Sequence, residues 1–273
     1  MTPKLPRKTA GFPAVLGAAR AVAPRAMLRP QRPLREAAAD ARQRGTPAGV
    51  GLDSVAVRAR MVQRLRSAGL HCEPVCAALL HVPRHEFVDA ALANQAYEDT
   101  SLPIGWQQTI SKPSVVARML ALLLEGDGAR QRGQLGRVLE IGTGCGYQTA
   151  LLCLLAKHVV SIERIAGLHD KAQANLGHAM PGSLNGPLQL LHGDGRAGHA
   201  RAAPFDTIVA AAGGDDVPQA WLDQLAEGGR LVAPLSGTGR AGQALCIIDR
   251  RGGQWHRALH EAVHFVPLKS GIE

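Results

Sequence analysis

The amino-acid sequence predicts an α/β protein with a doubly wound, mostly parallel sheet, helices on both faces and antiparallel strands near its C-terminal end. Two observations lead to this prediction. From residue 137 onward, short apolar runs alternate with longer segments of helical character, which is the pattern of successive βα units. A glycine-rich turn joins the first of these strands to its helix. In sheets of this kind, ligands bind at the carboxyl ends of the strands.

The expected core elements follow one another along the chain. The strands are Arg137–Ile141, His158–Ile162, Leu188–Leu191, Asp206–Ala211 and Arg230–Pro234. Helices are expected from the glycine turn through Ala156, over Ala166–Gly177 and over Val217–Leu225. We expect Gly228-Gly229 to end the last of these helices, because glycine disfavours regular elements. Ala244–Asp249 and a segment near Val263–Val266 are expected as antiparallel strands.

The region before the sheet is expected to be helical and then irregular. Ser54 can cap a helix over Val55–Ala68 that Gly69 closes, and a short helix follows over Pro74–Leu80. Residues 84–113 are polar and contain proline, and Pro113 suits the first turn of a helix that ends at Leu124. Residues 98–112 are expected to form an irregular lid, because long loops in compact domains are often functional.

The positive charge of the chain is concentrated at one end. The chain has 273 residues and a formal net charge of +9, but residues 1–50 hold ten basic and two acidic residues, which leaves +1 for the rest. This proline-rich segment buries little apolar surface, so we expect a disordered extension. Three interpretations remain open: a solvated extension, a tether to nucleic acid or an acidic surface, and an arginine-rich transit peptide. Residues 51–273 are expected to form one domain.

Composition excludes several classes of protein. No apolar run approaches the roughly 18 residues that span a bilayer, so no membrane association is expected. Aromatic residues make up 3% of the chain, which disfavours a protein that stacks single-stranded nucleic acid. The five cysteines do not form a disulfide framework and indicate a reducing, cytoplasmic compartment. Cys72 and Cys76 lack the second pair that a zinc site needs, so no metal is expected.

The glycine turn favours a cofactor without phosphate groups. Its spacing is G-x-G-x-G over Gly142, Gly144 and Gly146, whereas dinucleotide enzymes favour G-x-G-x-x-G. Glu140 precedes the turn, and a carboxylate there would repel a pyrophosphate but can pair with the sulfonium and ammonium of S-adenosylmethionine. Glu163 ends the second strand, where acids commonly accept hydrogen bonds from ribose. Asp194 follows the third strand and could accept a hydrogen bond from the adenine amine.

The chain resembles the protein-L-isoaspartate (D-aspartate) O-methyltransferase family of class I methyltransferases. The glycine turn is shared by most class I methyltransferases, and the segment Pro103-Ile104-Gly105…Gln108-Thr109-Ile110-Ser111 is more specific to this family. The resemblance covers about residues 54–268 and leaves out residues 1–50. Further matches are Val82–Val88, Ala96–Asp99, Ser161–Ile165, Gly193–Gly195, Ala203–Asp206, Gly228–Val232 and Phe265–Leu268.

The resemblance implies methyl transfer from S-adenosylmethionine to the free α-carboxylate of L-isoaspartyl and D-aspartyl residues in damaged proteins and peptides. The methyl ester then leads through a succinimide to repair. Ser111 is the implied catalytic residue, orienting the substrate carboxylate. Implied cofactor contacts are Gln108, Thr109, Ile110, Glu140, Gly142, Gly144, Gly146, Glu163, Arg164, Asp194 and Gly195, and implied substrate contacts are Ser111, Phe265, Val266, Pro267 and Leu268.

The resemblance also divides the expected domain and leaves alternatives. Residues 51–125 are the helical and lid region, 137–235 the cofactor-binding core, and 236–273 the C-terminal strands and substrate edge of a monomer. Gln107 replaces a glycine that is usual in the family, and we expect it to change the path of the lid if that glycine has positive φ. Ser111 could instead cap the helix that begins near Pro113. The alternatives are a class I methyltransferase with another substrate and a non-catalytic nucleic-acid tether.

Overall fold

The structure is a computed structural model that describes residues 55–182, 188–236 and 242–273. The expectations for residues 1–50 and for the cap Ser54 lie outside these described residues. The predicted α/β class is confirmed. Seven strands form one sheet: β3 (Arg137–Ile141), β4 (His158–Glu163), β5 (Leu188–His192), β6 (Phe205–Ala210), β7 (Leu225–Ser236), β8 (Gln243–Arg251) and β9 (Gln254–Val263). They lie side by side in the order β5-β4-β3-β6-β7-β8-β9.

Five strands of this sheet are parallel and the last two are antiparallel. β4 and β6 flank β3 in parallel, β5 pairs with β4, and β7 pairs with β6. β8 and β9 continue the sheet as antiparallel strands, as predicted for the C-terminal end. The strand order reverses at β3, between β4 and β6, so the carboxyl end of β3 lies where ligands bind in open α/β sheets.

The helices lie before and between the strands. They are α1 (Val55–Ser67), α2 (Glu73–His81), α3 (Pro113–Leu124), α4 (Asp127–Arg132), α5 (Tyr147–Leu155), α6 (Ala166–Ala179) and α7 (Gln219–Gln224). Arg84–Phe87 and Ala90–Gln95 form short 3-10 helices. Among the described residues, no helix is long and apolar enough to cross a membrane.

The central strand is buried because both faces of the sheet are covered. Val138 of β3 packs with α3 and α5 in one apolar cluster, whereas Leu139 and Ile141 pack in a second cluster with Trp221 of α7. A parallel strand that is covered on both faces is rich in apolar residues, as Val138, Leu139 and Ile141 are here, and the buried Glu140 is the exception. The bounds predicted for this strand and for helix Pro113–Leu124 are confirmed.

Three predictions about regular elements are wrong. The lid at 98–112 contains an antiparallel hairpin, β1 (Leu102–Gly105) and β2 (Gln108–Ile110). Gly228-Gly229 lies inside β7 and does not precede it, because a register shift between β6 and β7 accommodates the extra residues. The strand expected near Val263–Val266 ends at Val263, and Pro267 makes only an isolated parallel bridge with Gly213.

Candidate active site

A pocket lies at the carboxyl ends of β3 and β4, under the β1–β2 hairpin. The glycine turn forms its floor, and the three glycines 142, 144 and 146 have φ values of 89°, 58° and 92°. A residue with a side chain rarely adopts this left-handed conformation, so glycine is required for the turn. Most of the predicted site residues line the pocket: Gln108, Thr109, Ile110, Ser111, Gly142, Gly144, Glu163, Arg164, Gly195, Val266, Pro267 and Leu268.

Glu163 connects the end of β4 to the glycine turn. Its Oε2 atom accepts a hydrogen bond of 2.9 Å from the Gly144 amide, and Oε1 accepts one of 3.0 Å from the Ile165 amide. The side chain is 4% exposed and still contributes to the pocket wall. A carboxylate oxygen can accept more than one hydrogen bond, so Glu163 retains capacity for the hydroxyls of a ligand.

Glu140 lies beneath the turn and does not line the pocket. It is completely buried, and its two oxygens accept hydrogen bonds from Thr149 Oγ1 (2.5 Å), Ser161 Oγ (2.7 Å) and Gln148 Nε2 (3.1 Å). Burial raises the pKa of this carboxyl group to about 7, although the three hydrogen bonds act in the opposite direction. The prediction of a direct contact with the cofactor is corrected, because the alternation of β3 turns this side chain toward α5.

Three further predicted residues also lie outside the pocket lining. Asp194 accepts backbone hydrogen bonds from Arg196 (2.9 Å) and Gly271 (2.7 Å), so its oxygens serve the turn after β5 and the C-terminal segment. Gly146 faces α6, and a Cβ atom there would lie 3.1 Å from the side chain of Leu176. Phe265 is buried in the larger apolar cluster. For Asp194 and Phe265 the placement reflects the direction of the side chain, and for Gly146 it reflects close packing against α6; a sequence pattern reveals neither.

Ser111 lies in the pocket wall between β2 and α3. The N-cap of α3 is Lys112, and no side-chain capping bond forms there, so the expectation that Ser111 caps this helix is wrong. Asp99 instead accepts hydrogen bonds of 2.8 Å from the backbone N and the Oγ of Ser114 in the first turn. The Ser111 carbonyl accepts a 2.7 Å hydrogen bond from Arg84 Nη2, which fixes the main chain of the serine.

The hairpin turn keeps a left-handed conformation without the usual glycine. Trp106 and Gln107 have φ values of 48° and 57°, as in a two-residue type I′ turn. Gln107 thus adopts a positive φ, and its side chain is accommodated at a strained position. The expected change in the path of the lid relative to the family stays a prediction. Lys171 of α6 donates a 3.0 Å hydrogen bond to the Ile104 carbonyl, and the Trp106 ring lies against Gly167.

The C-terminal segment closes the other side of the pocket. The Gly213 amide donates to the Val266 carbonyl (2.8 Å), and the Leu268 amide donates to the Gly213 carbonyl (2.7 Å). Beyond it, the Glu273 amide donates to the Arg164 carbonyl (2.8 Å), and the Glu273 carbonyl accepts from the Ala166 amide (2.7 Å). The last residues thus pair with the chain that leaves β4, beside the pocket.

Several lining residues were not predicted from the sequence. They include Ile104, Cys145, Tyr147, Ala211 and Lys269. Cys145 and Tyr147 stand inside or directly after the glycine turn, so proximity to the motif was an available signal. Lys269 follows the matched segment 265–268 by one position. Ala211 lies directly after β6, where the neighbouring parallel strand also ends at the ligand-binding edge.

The pocket suits a ligand that has hydroxyl groups. Glu163 places a carboxylate in the wall next to the turn, where acids commonly accept hydrogen bonds from ribose hydroxyls. In the described part of the chain, no cluster of three or more His, Cys, Asp or Glu side chains could hold a metal ion. The glycine turn lets a ligand approach the backbone closely.

Comparison with known proteins identifies the family. The family model described as protein-L-isoaspartate(D-aspartate) O-methyltransferase matches residues 56–273. This chain belongs to that family. The protein-L-isoaspartate O-methyltransferase of Methylibium petroleiphilum is 58% identical over 249 residues, which cover 90% of each chain.

Solved structures agree with the family assignment. A protein-L-isoaspartate O-methyltransferase superposes with a TM-score of 0.68 at 25% identity, over 78% of this chain and 66% of that one. A second is a putative family member from Plasmodium falciparum in complex with S-adenosyl-L-homocysteine. It has a TM-score of 0.66 at 23% identity, over 77% and 97% of the two chains, and supports the fold.

Proposed function

We propose that this pocket transfers a methyl group from S-adenosylmethionine to the free α-carboxylate of L-isoaspartyl and D-aspartyl residues, which begins the repair of damaged proteins. Membership of the family over residues 56–273 is the observation that carries the proposal. The pocket supports it, because the family segment 108–111, the glycine turn and the segment 266–268 line one cavity.

The residues of this chain divide the pocket between donor and acceptor. We assign Gly142, Gly144, Glu163, Arg164 and Gly195 to the cofactor, with Glu163 accepting hydrogen bonds from ribose hydroxyls. Gln108, Thr109 and Ile110 of β2 form the pocket wall between the methyl donor and the methyl acceptor. Glu140, Gly146 and Asp194 support the cofactor site from behind, through the contacts described above.

Ser111 and the segment Val266-Pro267-Leu268 are assigned to the substrate. The Ser111 hydroxyl donates to the substrate carboxylate and orients one of its oxygens, and the extended segment presents backbone groups to a peptide of any sequence. Phe265 acts through its burial, which anchors this segment. When bound, S-adenosylmethionine would supply a methyl group carried on a positively charged sulfur. Transfer of this methyl group to the carboxylate oxygen would leave the cofactor as a neutral thioether.

No general base is needed for this reaction. A carboxylate is already ionised at neutral pH, so it is a competent nucleophile without loss of a proton. The protein contributes alignment and exclusion of water, and alignment of this kind is worth roughly 7–11 kcal/mol. Glu140 is the carboxyl group with the most perturbed pKa at the site, but it contacts no pocket surface, so it does not serve as a base.

A pair of peptides tests the proposal. One carries an isoaspartyl residue and the other the normal aspartyl residue at the same position, and methyl transfer from S-adenosylmethionine is measured for both. We expect labelling of the isoaspartyl peptide alone. Equal labelling of both would favour a class I methyltransferase with another substrate. Labelling of neither, together with salt-sensitive DNA binding, would favour a nucleic-acid tether.

We further propose that residues 51–273 form one catalytic domain and that residues 1–50 are dispensable for methyl transfer. We also propose that the protein acts as a monomer in the cytoplasm. Deleting residues 1–50 is expected to leave peptide methylation nearly unchanged. Loss of activity would make this segment part of the enzyme, and DNA binding that disappears on deletion would support a tether. A sedimentation mass above that of one chain would contradict the monomer.

A further inference from the structure

We propose that Arg84 is a positioning residue for the acceptor carboxylate. Its buried guanidinium holds the main chain of Ser111 and places a positive charge behind the part of the pocket that receives the substrate's negative charge. This inference rests on the proposed function, because it concerns how the same site selects an anionic acceptor.

The guanidinium of Arg84 is buried without a carboxylate partner. The residue is 0% exposed, and its guanidinium takes part in no ion pair among the described residues, although the charge of Asp99 acts on it from farther away. Nε donates to the Ala96 carbonyl and Nη2 to the Ser111 carbonyl, each at 2.7 Å, whereas Nη1 has no hydrogen-bond partner. A buried cation without a counter-charge is costly, and arginine stays protonated in proteins.

The position of this cation relates it to the acceptor end of the pocket. Its central carbon lies 4.7 Å from the centre of the Tyr147 ring, so the guanidinium stacks on that ring. Tyr147 and Ser111 both line the pocket, and Arg84 contacts both from the protein side. The Tyr147 hydroxyl is also buried and forms no hydrogen bond of normal geometry among the described residues, although it lies close enough to interact with the Arg84 guanidinium. Two unsatisfied polar groups therefore lie at one wall.

The charges around Arg84 leave its positive field directed at this wall. Asp99 accepts two hydrogen bonds from Ser114 in the first turn of α3, and its charge acts on Arg84 without forming an ion pair with it. Burial raises the pKa values of the Cys145 thiol and the Tyr147 phenol, so both are neutral at physiological pH. An arriving carboxylate is then the counter-charge that the buried guanidinium lacks. The costly burial is explained if the charge contributes when substrate binds.

Binding measurements on the full chain with S-adenosylhomocysteine present test the inference. The probes are an isoaspartyl peptide and the same peptide with its α-carboxylate replaced by a carboxamide. We expect wild type to bind the carboxylate form about tenfold tighter, the scale of a charged hydrogen bond. Arg84→Met should bind both forms equally, with little change for the carboxamide form or for S-adenosylhomocysteine. Arg84→Lys should retain most of the preference.

Kinetics separate the electrostatic role from mere support of the fold. Arg84→Met should raise KM for the isoaspartyl peptide by about tenfold and also lower kcat, because it loses both the charge and the bond to Ser111. Arg84→Lys keeps the charge but loses that bond, so it should lower kcat more than it raises KM. Arg230→Met is the matched control, because this arginine forms a two-bond ion pair with Asp249 away from the pocket. It should lose stability and keep the carboxylate preference.

The inference is overturned if wild type shows no carboxylate preference, or if Arg84→Met weakens both peptides and S-adenosylhomocysteine in parallel. Should Arg84→Met not fold, Arg84→Lys decides: a retained preference with lower kcat supports the inference, and parallel loss of affinity for both peptides refutes it. Failure of the proposed function is recognised separately, because wild type would then not methylate the isoaspartyl peptide in preference to its aspartyl counterpart.

Discussion

Glu140 makes the stability of this protein depend on pH in a direction opposite to most carboxylates. Its pKa is about 7 in the folded protein, against an ordinary value of 4.5, because it is completely buried. The folded state therefore binds a proton that the unfolded state has lost between these two values. The free energy of unfolding must fall as pH rises through this window.

The magnitude follows from the size of the shift. Each unit of pKa difference corresponds to about 1.36 kcal/mol, so Glu140 should contribute about 3 kcal/mol below pH 4.5 that is lost by pH 7 to 8. Glu140→Gln removes the titration and keeps the shape. The difference in unfolding free energy, wild type minus variant, should therefore decrease by about 3 kcal/mol across this range.

Urea unfolding followed by circular dichroism at several pH values between 4.5 and 8 measures this difference. Glu98→Gln is the control, because this side chain is 66% exposed and the substitution makes the same chemical change without altering a buried site. If the free energies of unfolding of wild type and Glu140→Gln changed with pH in parallel, the reasoning would be refuted. The three hydrogen bonds to Glu140 would then lower its pKa as much as burial raises it.

Substitutions at three other positions test the site and the hairpin turn beside it. Ser111→Ala should lower kcat by about tenfold or more, because it removes one hydrogen bond that orients the substrate. The affinity for S-adenosylhomocysteine, measured by calorimetry, should not change. If kcat and this affinity fell by the same factor, Ser111 would only support the structure of the pocket. Glu163→Ala should instead raise the dissociation constant of S-adenosylhomocysteine by about tenfold or more, and an unchanged constant would contradict its assignment. Gln107→Val should lower the unfolding free energy by about 1 kcal/mol in urea titrations, because its φ is 57°. Gln107→Gly should not lower the unfolding free energy. Equal stabilities of the Gln107→Val and Gln107→Gly variants would argue against a left-handed turn.

The parts of the fold that depend on burial could be predicted from the sequence. The strand Arg137–Ile141 is apolar on both faces, and Pro113 marks the first turn of α3, so the predicted bounds agree with the structure. β9 was missed because nearly all of its residues are exposed, and such a strand has no apolar alternation to reveal it. Its place in the sheet is set by pairing with β8 alone.

The sequence predicted which segments of the chain form the site, but not which way their side chains point. Glu140 and Glu163 stand at similar places relative to their strands, yet one faces α5 and the other lines the pocket. Asp194 could be placed at the correct edge of the sheet, but its hydrogen bond with Gly271 joins residues far apart in sequence. Arg84 carried no ligand signal of its own, since its importance depends on burial beside Tyr147 and Ser111.

The pairing of Glu273 with the chain after β4 has a practical consequence for anyone who produces this protein. Its amide and carbonyl both engage the segment Arg164–Ala166, and its side chain pairs with Arg164 at 2.8 Å. A purification tag or fluorescent fusion joined after Glu273 would therefore emerge at the rim of the binding pocket.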